Sequence, residues 1–157
     1  MDIITAKASD LDIVKSISHS TINAVYPHYY PAGAVDFFLA HHSGENILRD
    51  IEAELVYLAV ADEKAVGTVT VSGDEINRLF VLPESQGHGF GVSLLRFAEN
   101  MVAEHFGTAR LDSSLPAKTL YAKMGYMVIK SDRIKTDNGD YLCYDTMIKR
   151  VTKNADR

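Results

Sequence analysis

The sequence predicts an α/β (α+β) fold: a mixed, largely antiparallel central sheet with helices on both faces. Three observations carry this. The N-terminal stretch repeats apolar side chains at helical spacing. The middle reads as three strands joined by short turns. A glycine loop, a helix and a further strand-helix-strand passage follow. Antiparallel pairs joined to a strand-helix-strand unit require a sheet of mixed direction.

Taken in order, Ile3–Ala6 is a short β-branched strand. Ser9 with Asp12 resembles a capping box, with Asp in place of the usual Glu. Leu11, Val14, Ile17, Ile22 and Val25 then recur near helical spacing until Pro27 ends the helix. YPHYYPAG is a turn crowded with aromatics. Pro31 suits the start of the short helix AVDFFLAHH, and Ser43 caps another that ends near Glu54. VYLAVAD, AVGTVTVS and EINRLFVL are strands of one meander, separated by DEK and by Gly73-Asp74. After Pro83 and ESQGHGFG comes a long helix, about Gly89 to Phe106. Its apolar face is Leu94, Leu95, Ala98, Met101, Val102 and Phe106, with Gly107 as terminator. ARLDSS is a strand, Pro116 opens a short helix ending near Gly125, YMVIKS is a strand, DNGD a turn, and YLCYDTMIK the last strand. No repeat, linker or low-complexity segment divides the chain, so residues 1–157 are expected to form one domain.

Composition excludes several classes. Apolar residues at 46% and charged residues at 24% are ordinary for a globular domain, which argues against a disordered, collagen-like or disulfide-scaffold chain. The longest apolar runs, such as LVYLAVA at 55–61, fall far short of a membrane span. MDIITAKASD shows no basic segment followed by an apolar one, so no signal peptide is expected. Cys143 is the only cysteine. It precludes an internal disulfide, suits a reducing compartment and points to the cytoplasm; it is expected to be a half-buried strand residue. A formal net charge of −5 argues against nucleic acid or an anionic membrane as partner and favours cationic partners such as amines.

The glycine loop carries the chemistry. Gly87, Gly89 and Gly91 alternate after a strand and open a helix, where free backbone amides form a site for phosphate. A nucleoside-triphosphate loop would need Gly-Lys-Ser/Thr, and Gly91-Val92-Ser93 has no lysine. A dinucleotide fold would need a third glycine where Val92 stands and parallel neighbouring strands, whereas this strand belongs to a meander. A zinc site is not expected, because the histidines lack paired ligand spacing and no cysteine lies near them.

The segment Glu75 to Tyr126 resembles the GNAT superfamily of acyl-CoA-dependent N-acetyltransferases. Gln86, Gly89 and Gly91 match that family's pyrophosphate loop, Q/R-x-x-G-x-G/A. Ser114, Ala117, Tyr121, Gly125 and Tyr126 match its downstream pattern, N/S-x-x-A-x-x-x-Y-x-x-x-G-F/Y. The resemblance implies the GNAT fold and an acetyl-CoA cosubstrate with no metal. It implies that the backbone of Leu79, Phe80 and Val81 pairs with the pantetheine arm. The loop Gln86, Gly87, His88, Gly89, Phe90, Gly91 and Val92 would cradle the pyrophosphate, and Ser114 and Tyr121 would approach the thioester; Ser114 stands where many members carry Asn.

Acetylating an amine needs a neutral nitrogen held against a thioester carbonyl, and orientation alone can supply up to ~7–11 kcal/mol of the barrier. An amine of pKa near ~10 must lose a proton. The leaving thiolate gains one, and Tyr121 is the candidate acid. Glu75 stands eleven residues before Gln86, the offset at which protein-acetylating members carry a catalytic Glu. Ideal alternation puts Glu75, Asn77, Leu79 and Val81 on one face, with Ile76, Arg78, Phe80 and Leu82 on the other. Glu75 would then lie ~20 Å from Val81 along the strand, so a bulge or a water relay is needed for it to act as base. Asp112, a histidine or water are the alternatives.

In the family the helical insertion covers the acceptor, so Tyr26, His28, Tyr29, Tyr30, His41 and His42 are candidate pocket residues. The expected acceptor is a small amine such as a polyamine or an amino-acid derivative. A peptide or protein amine, or an acyl-CoA sensor without catalysis, is the alternative. The protein is expected to be a monomer or homodimer.

Overall fold

In the computed structural model, which describes residues 1–153, the chain opens on an edge strand, β1 (Asp2–Thr5). Three helices come next: α1 (Leu11–Val25), α2 (Ala32–His41) and α3 (Gly44–Glu52). The meander is β2 (Val56–Ala61), β3 (Lys64–Ser72) and β4 (Glu75–Val81). Then come α4 (Phe90–Ala103), β5 (Thr108–Ser113), α5 (Lys118–Lys123), β6 (Met127–Lys135) and β7 (Tyr141–Arg150). The strands form one sheet in the order β1-β2-β3-β4-β5-β7-β6. Every neighbouring pair is antiparallel except β4 with β5, which makes the sheet mixed as expected.

Local chemistry sets most helix ends. α1 stops two residues before Pro27, which has no N–H to continue the ladder, and a 3-10 turn spans Tyr26–His28. Ser43 caps α3 by accepting from the Asn46 amide at 3.2 Å. The expected cap at Ser9 is not formed. Instead the Lys7 amide donates to the Asp10 carboxylate at 2.8 Å, Ser9 lies inside a 3-10 turn (Ala8–Asp10), and α1 begins at Leu11. Phe106 likewise falls outside α4 and is 44% exposed, so it does not join that helix's apolar face.

Two cores sandwich the sheet. On one face Leu94, Leu95, Ala98 and Val102 of α4, with Tyr121 and Tyr126 around α5, pack on Tyr57, Ala59, Val69, Ala109, Leu111 and Met147. On the other, Val14, Ile17 and Ile22 of α1, Ala34 and Val35 of α2, and Ile47 and Ile51 of α3 pack on Val56, Leu58 and Leu142. The alternation Val56-Tyr57-Leu58-Ala59 along β2 is the period-2 pattern of a strand buried on both faces.

Two irregularities in the pairing of β4 open the middle of the sheet. Thr70 pairs with Asn77 and Thr68 with Phe80, so Arg78 and Leu79 together oppose the single residue Val69. This is a β-bulge, and Arg78 takes φ = 47°, a left-handed conformation that costs a side-chain-bearing residue about 1–2 kcal/mol. The extra residue changes the facing. Ile76 packs in the α4-side core, and Phe80 in the α1-side core. Ideal alternation puts both on one face, and the bulge corrects that expectation. The second irregularity is at β5, where the parallel register holds only at Glu75↔Arg110, with the Arg110 amide donating to the Asp74 carbonyl at 2.9 Å. Beyond that point no further β4–β5 register pair forms among the described residues.

Candidate active site

The loop between β4 and α4 leads with its backbone. Gly87 and Gly89 have φ of 80° and 84°, which only glycine adopts at little cost, and Gly89 is the N-cap of α4. The first backbone bond of the helix runs from the Ser93 amide to the Gly89 carbonyl at 3.0 Å, so the amides of Phe90 to Val92 precede any intrahelical acceptor. A Cβ at Gly91 would meet only Leu120 and Val81, both at 3.8 Å, and one at Gly87 or Gly89 would meet nothing within 4 Å. Protein packing therefore leaves Gly91 room for a side chain; unpaired amides at an unobstructed helix start are the chemistry a phosphate group needs. Gln86 is exposed, and its Nε2 donates to the Val81 carbonyl at 3.0 Å. Thr21 Oγ1 donates to the same carbonyl at 3.1 Å. His88 holds the Ser85 carbonyl at 3.2 Å and stacks on Phe90.

Two cavities open beside the β4–β5 divergence. The first, about 380 Å³, runs along Leu79, Phe80, Val81 and the loop residues Gln86, Gly87, Gly89, Phe90, Gly91 and Val92 to Ser114 and Tyr121. The second, about 280 Å³, is lined by Glu75, Asn77, Arg78, Asp112, His41 and His42, with the rings of Phe37, Phe38 and Tyr144. Tyr26, Leu79, Phe80, Ser114, Ala117 and Tyr121 line both, so the two cavities share a wall.

Three of the six residues of that wall are aromatic: Tyr26, Phe80 and Tyr121. Tyr121, on α5, is 7% exposed, and burial and then the neighbouring Tyr26 raise its pKa well above the ordinary 10.0. Its phenol therefore keeps its proton across the neutral range. Tyr26 is also buried and raised, although a hydrogen bond with Ser114 opposes the shift. Tyr30 lies outside both cavities. Its Oη accepts from the Leu115 amide at 2.7 Å and donates to the Cys143 carbonyl at 3.1 Å, so it braces the segment after β5 against β7; burial pushes its pKa up to about 12.

The second cavity holds two carboxylates. Glu75 is half-buried, and desolvation and then the charge of Asp112 raise its pKa above 4.5, while Arg110 opposes the shift. Asp112 accepts from Thr146 Oγ1 at 2.8 Å. Behind them Arg78, whose side chain is only 5% exposed, spreads its fork over three partners. Nη2 bonds Asp50 at 2.9 Å, Nη1 bonds Thr70 Oγ1 at 2.9 Å, and Nε donates to His42 Nδ1 at 3.2 Å. His42 is pushed down to about 3 by burial, then by the charge of Arg78 and by His41 and His19. His41 is lowered in the same way, first by partial burial and then by Arg78, and stacks on Phe37.

Tyr26, His41 and His42 therefore line the second cavity, whereas His28 and Tyr29 are exposed and line neither. Pro27 turns the chain at this point and carries both side chains outward. Cys143 is exposed rather than half-buried. Asn77, Phe37 and Phe38 also line the second cavity, and sequence reasoning passed over them along with Arg78 and Asp50. The available signal was Arg78 itself, a charged residue on an otherwise apolar strand face, which demands a buried partner or a break in alternation. Among the described residues no group of three or more His, Cys, Asp or Glu side chains is placed to hold a metal ion. No described helix is long and apolar enough to cross a membrane.

A family model described as an acetyltransferase (GNAT) domain matches residues 25–142. The chain belongs to the GNAT acetyltransferase family. Solved structures agree on the fold. A GCN5-related N-acetyltransferase from Rhodopseudomonas palustris superposes with a TM-score of 0.87 at 20% identity, covering 96% of this chain and 95% of that one. PaiA N-acetyltransferase from Thermoplasma acidophilum, in complex with coenzyme A, gives 0.73 at 21% identity, covering 95% and 98%. The putative acetyltransferase yncA from Salmonella typhimurium, with its cofactor acetyl-CoA, gives 0.73 at 16% identity, covering 100% and 97%. No curated protein matches the GNAT chain by sequence.

Proposed function

We propose that this GNAT domain is an N-acetyltransferase that moves the acetyl group of acetyl-CoA to the amine of a small molecule, a polyamine or an amino-acid derivative. The observation that supports it best is the wall common to the two cavities. Tyr121 and Ser114 stand on it, the glycine loop lines the first cavity, and Glu75 lines the second. A chamber of about 280 Å³ with two carboxylates and several rings suits a small cationic amine better than a long peptide.

Acetyl-CoA, when bound, supplies the acetyl group as a thioester. The residues Gln86 to Val92 hold its phosphates through backbone amides. Glu75, directly or through a water, takes the proton that the amine must lose, and its raised pKa brings its basicity closer to that task. Tyr121 donates its phenolic proton toward the departing sulfur and recovers one from solvent. The net proton therefore passes from amine to thiol, and no protein nucleophile is needed. Because burial raises the Tyr121 pKa, the phenol is always protonated when the reaction calls on it. A cytoplasmic location goes with this reading, since Cys143 has no second cysteine to pair with.

The test is thiol release from acetyl-CoA across a panel of amines. Release that depends on the amine supports the reading. Binding of acetyl-CoA with no release for any amine favours a non-catalytic acyl-CoA sensor.

A further inference from the structure

Arg78 sits in the second cavity's wall with its charge already paired inside the protein. Asp50 neutralises it, and all three of its side-chain nitrogens already hold protein acceptors. Its effect on the cavity passes through His42. Arg78 Nε–H donates to His42 Nδ1, so that nitrogen carries a lone pair, and in the neutral ring the proton must be on Nε2. A proton on Nδ1 would set two N–H groups against each other at 3.2 Å. The groups that face this ring, Arg78, His41 and His19, all oppose a positive charge on it.

His42 Nε2 has no protein hydrogen-bond partner among the described residues. Nor is it sealed, because Tyr126 Oη is the one buried side-chain polar atom left without a partner there. His42 lines the second cavity, so a molecule held there is within reach as a partner for it. The ring cannot drift. It stands edge-on to the Phe80 ring with ring centres 5.3 Å apart, and the His42 carbonyl is held by His19 Nε2 at 2.7 Å, which ties the α2–α3 corner to α1.

We propose that His42 Nε2–H is a fixed hydrogen-bond donor for the acceptor, set in place by Arg78, and that the enzyme therefore selects, of the two acceptor classes named above, the amino-acid derivative over the polyamine: an amine bearing a carbonyl, carboxylate or hydroxyl oxygen close to the nitrogen. This rests on the reading that the second cavity receives the acceptor. Plain alkyl amines give the donor no partner. An oxygen-bearing amine satisfies it while its nitrogen faces the wall shared with the first cavity. Arg78 is a positioning residue in this scheme, and His42 touches the substrate.

Matched acceptors test it, alaninamide against isopropylamine and 2-aminoethanol against propylamine. With kcat/KM calculated on the concentration of neutral amine, which removes the difference in basicity within each pair, the wild type should favour the oxygen-bearing member by about tenfold or more, the usual consequence of leaving a polar group unpaired. His42→Phe keeps the ring and removes the donor. It should erase the preference by raising KM for the oxygen-bearing amines, and leave the KM for acetyl-CoA unchanged. Arg78→Lys, which retains a charge for Asp50 but cannot reach three acceptors, should weaken the preference. It should do so by raising KM for the oxygen-bearing amine while kcat and the KM for acetyl-CoA hold. If His42→Phe does not fold, Arg78→Lys carries the test by itself. Equal neutral-amine kcat/KM for matched amines in the wild type, a preference that His42→Phe retains, or one that Arg78→Lys leaves undiminished overturns the inference and leaves the acetyltransferase reading standing. Acetyl-CoA binding without transfer to any amine overturns both.

Discussion

Ile76 and Phe80 stand four residues apart on β4 and pack into opposite cores. Only the bulge at Arg78 makes this possible, and it has a chemical consequence. It carries Phe80 to the α1 side and leaves Leu79 and Val81 on the α4 side, so both cavities are built from one strand. It also sets Arg78 where its fork reaches Thr70 of β3 and Asp50 of α3.

The loop is tested at Gly91. A methyl there meets its neighbours at an ordinary 3.8 Å, so Gly91→Ala should fold with the wild-type Tm. Acetyl-CoA at a hundred times its Kd should stabilise the wild type by about 2.7 kcal/mol through mass action. Gly91→Glu places a carboxylate before the same amides and should abolish that stabilisation in a thermal-shift titration. Full stabilisation of Gly91→Glu would mean that the phosphates bind elsewhere.

Glu75 is tested by pH. Desolvation and Asp112 raise its pKa, so kcat/KM should show an ascending limb above the usual carboxylate pKa of 4.5. Glu75→Gln should remove the limb. Asp112→Asn removes a like charge, which favours the carboxylate form, and should move the limb to lower pH. Profiles identical to wild type in both variants would take Glu75 out of the mechanism.

Much of the fold was legible in the sequence. The meander, the Ser43 cap and the amphipathic face of α4 are local patterns of spacing and turn chemistry, and each formed where spacing put it, except that Phe106 falls beyond the end of α4. The loop and Tyr121 were legible because a motif fixes short separations. What was not legible is what joins distant positions. Arg78 meets His42 and Asp50 across 36 and 28 residues, and nothing local to any of the three announces the others. The bulge is hidden for a related reason, since inserting one unpaired residue leaves the composition of EINRLFVL looking like a plain strand. His28 and Tyr29 misled because residue type marked them as pocket-like, whereas the 3-10 turn at Pro27 decides which way they face.

Alkaline pH should weaken the fold. Tyr26, Tyr121 and Tyr126 are raised above 10.0 by burial first, and Tyr30 to about 12. Above pH 10 the unfolded chain loses these protons while the folded chain keeps them, so stability is fully present below 10 and falls as pH rises past it. Each such tyrosine adds about 1.4 kcal/mol per pH unit to the slope. Urea titrations from pH 9 to 11.5 should show Tyr121→Phe with a shallower loss than wild type; parallel slopes would contradict the assigned burial.

Tyr121 offers the most direct measurement. Thiol release from acetyl-CoA should be followed with the wild type and Tyr121→Phe on one accepted amine, with solvent-isotope and burst experiments to confirm that chemistry limits the rate. The phenyl ring keeps the packing against Tyr126, with ring centres 5.8 Å apart, and removes only the hydroxyl. The account predicts a fall in turnover of roughly 10²-fold, the usual size for losing a general acid, with acetyl-CoA affinity nearly unchanged. Unaltered turnover in Tyr121→Phe under chemistry-limited conditions would contradict acetyl transfer at the wall between the two cavities with Tyr121 as its acid.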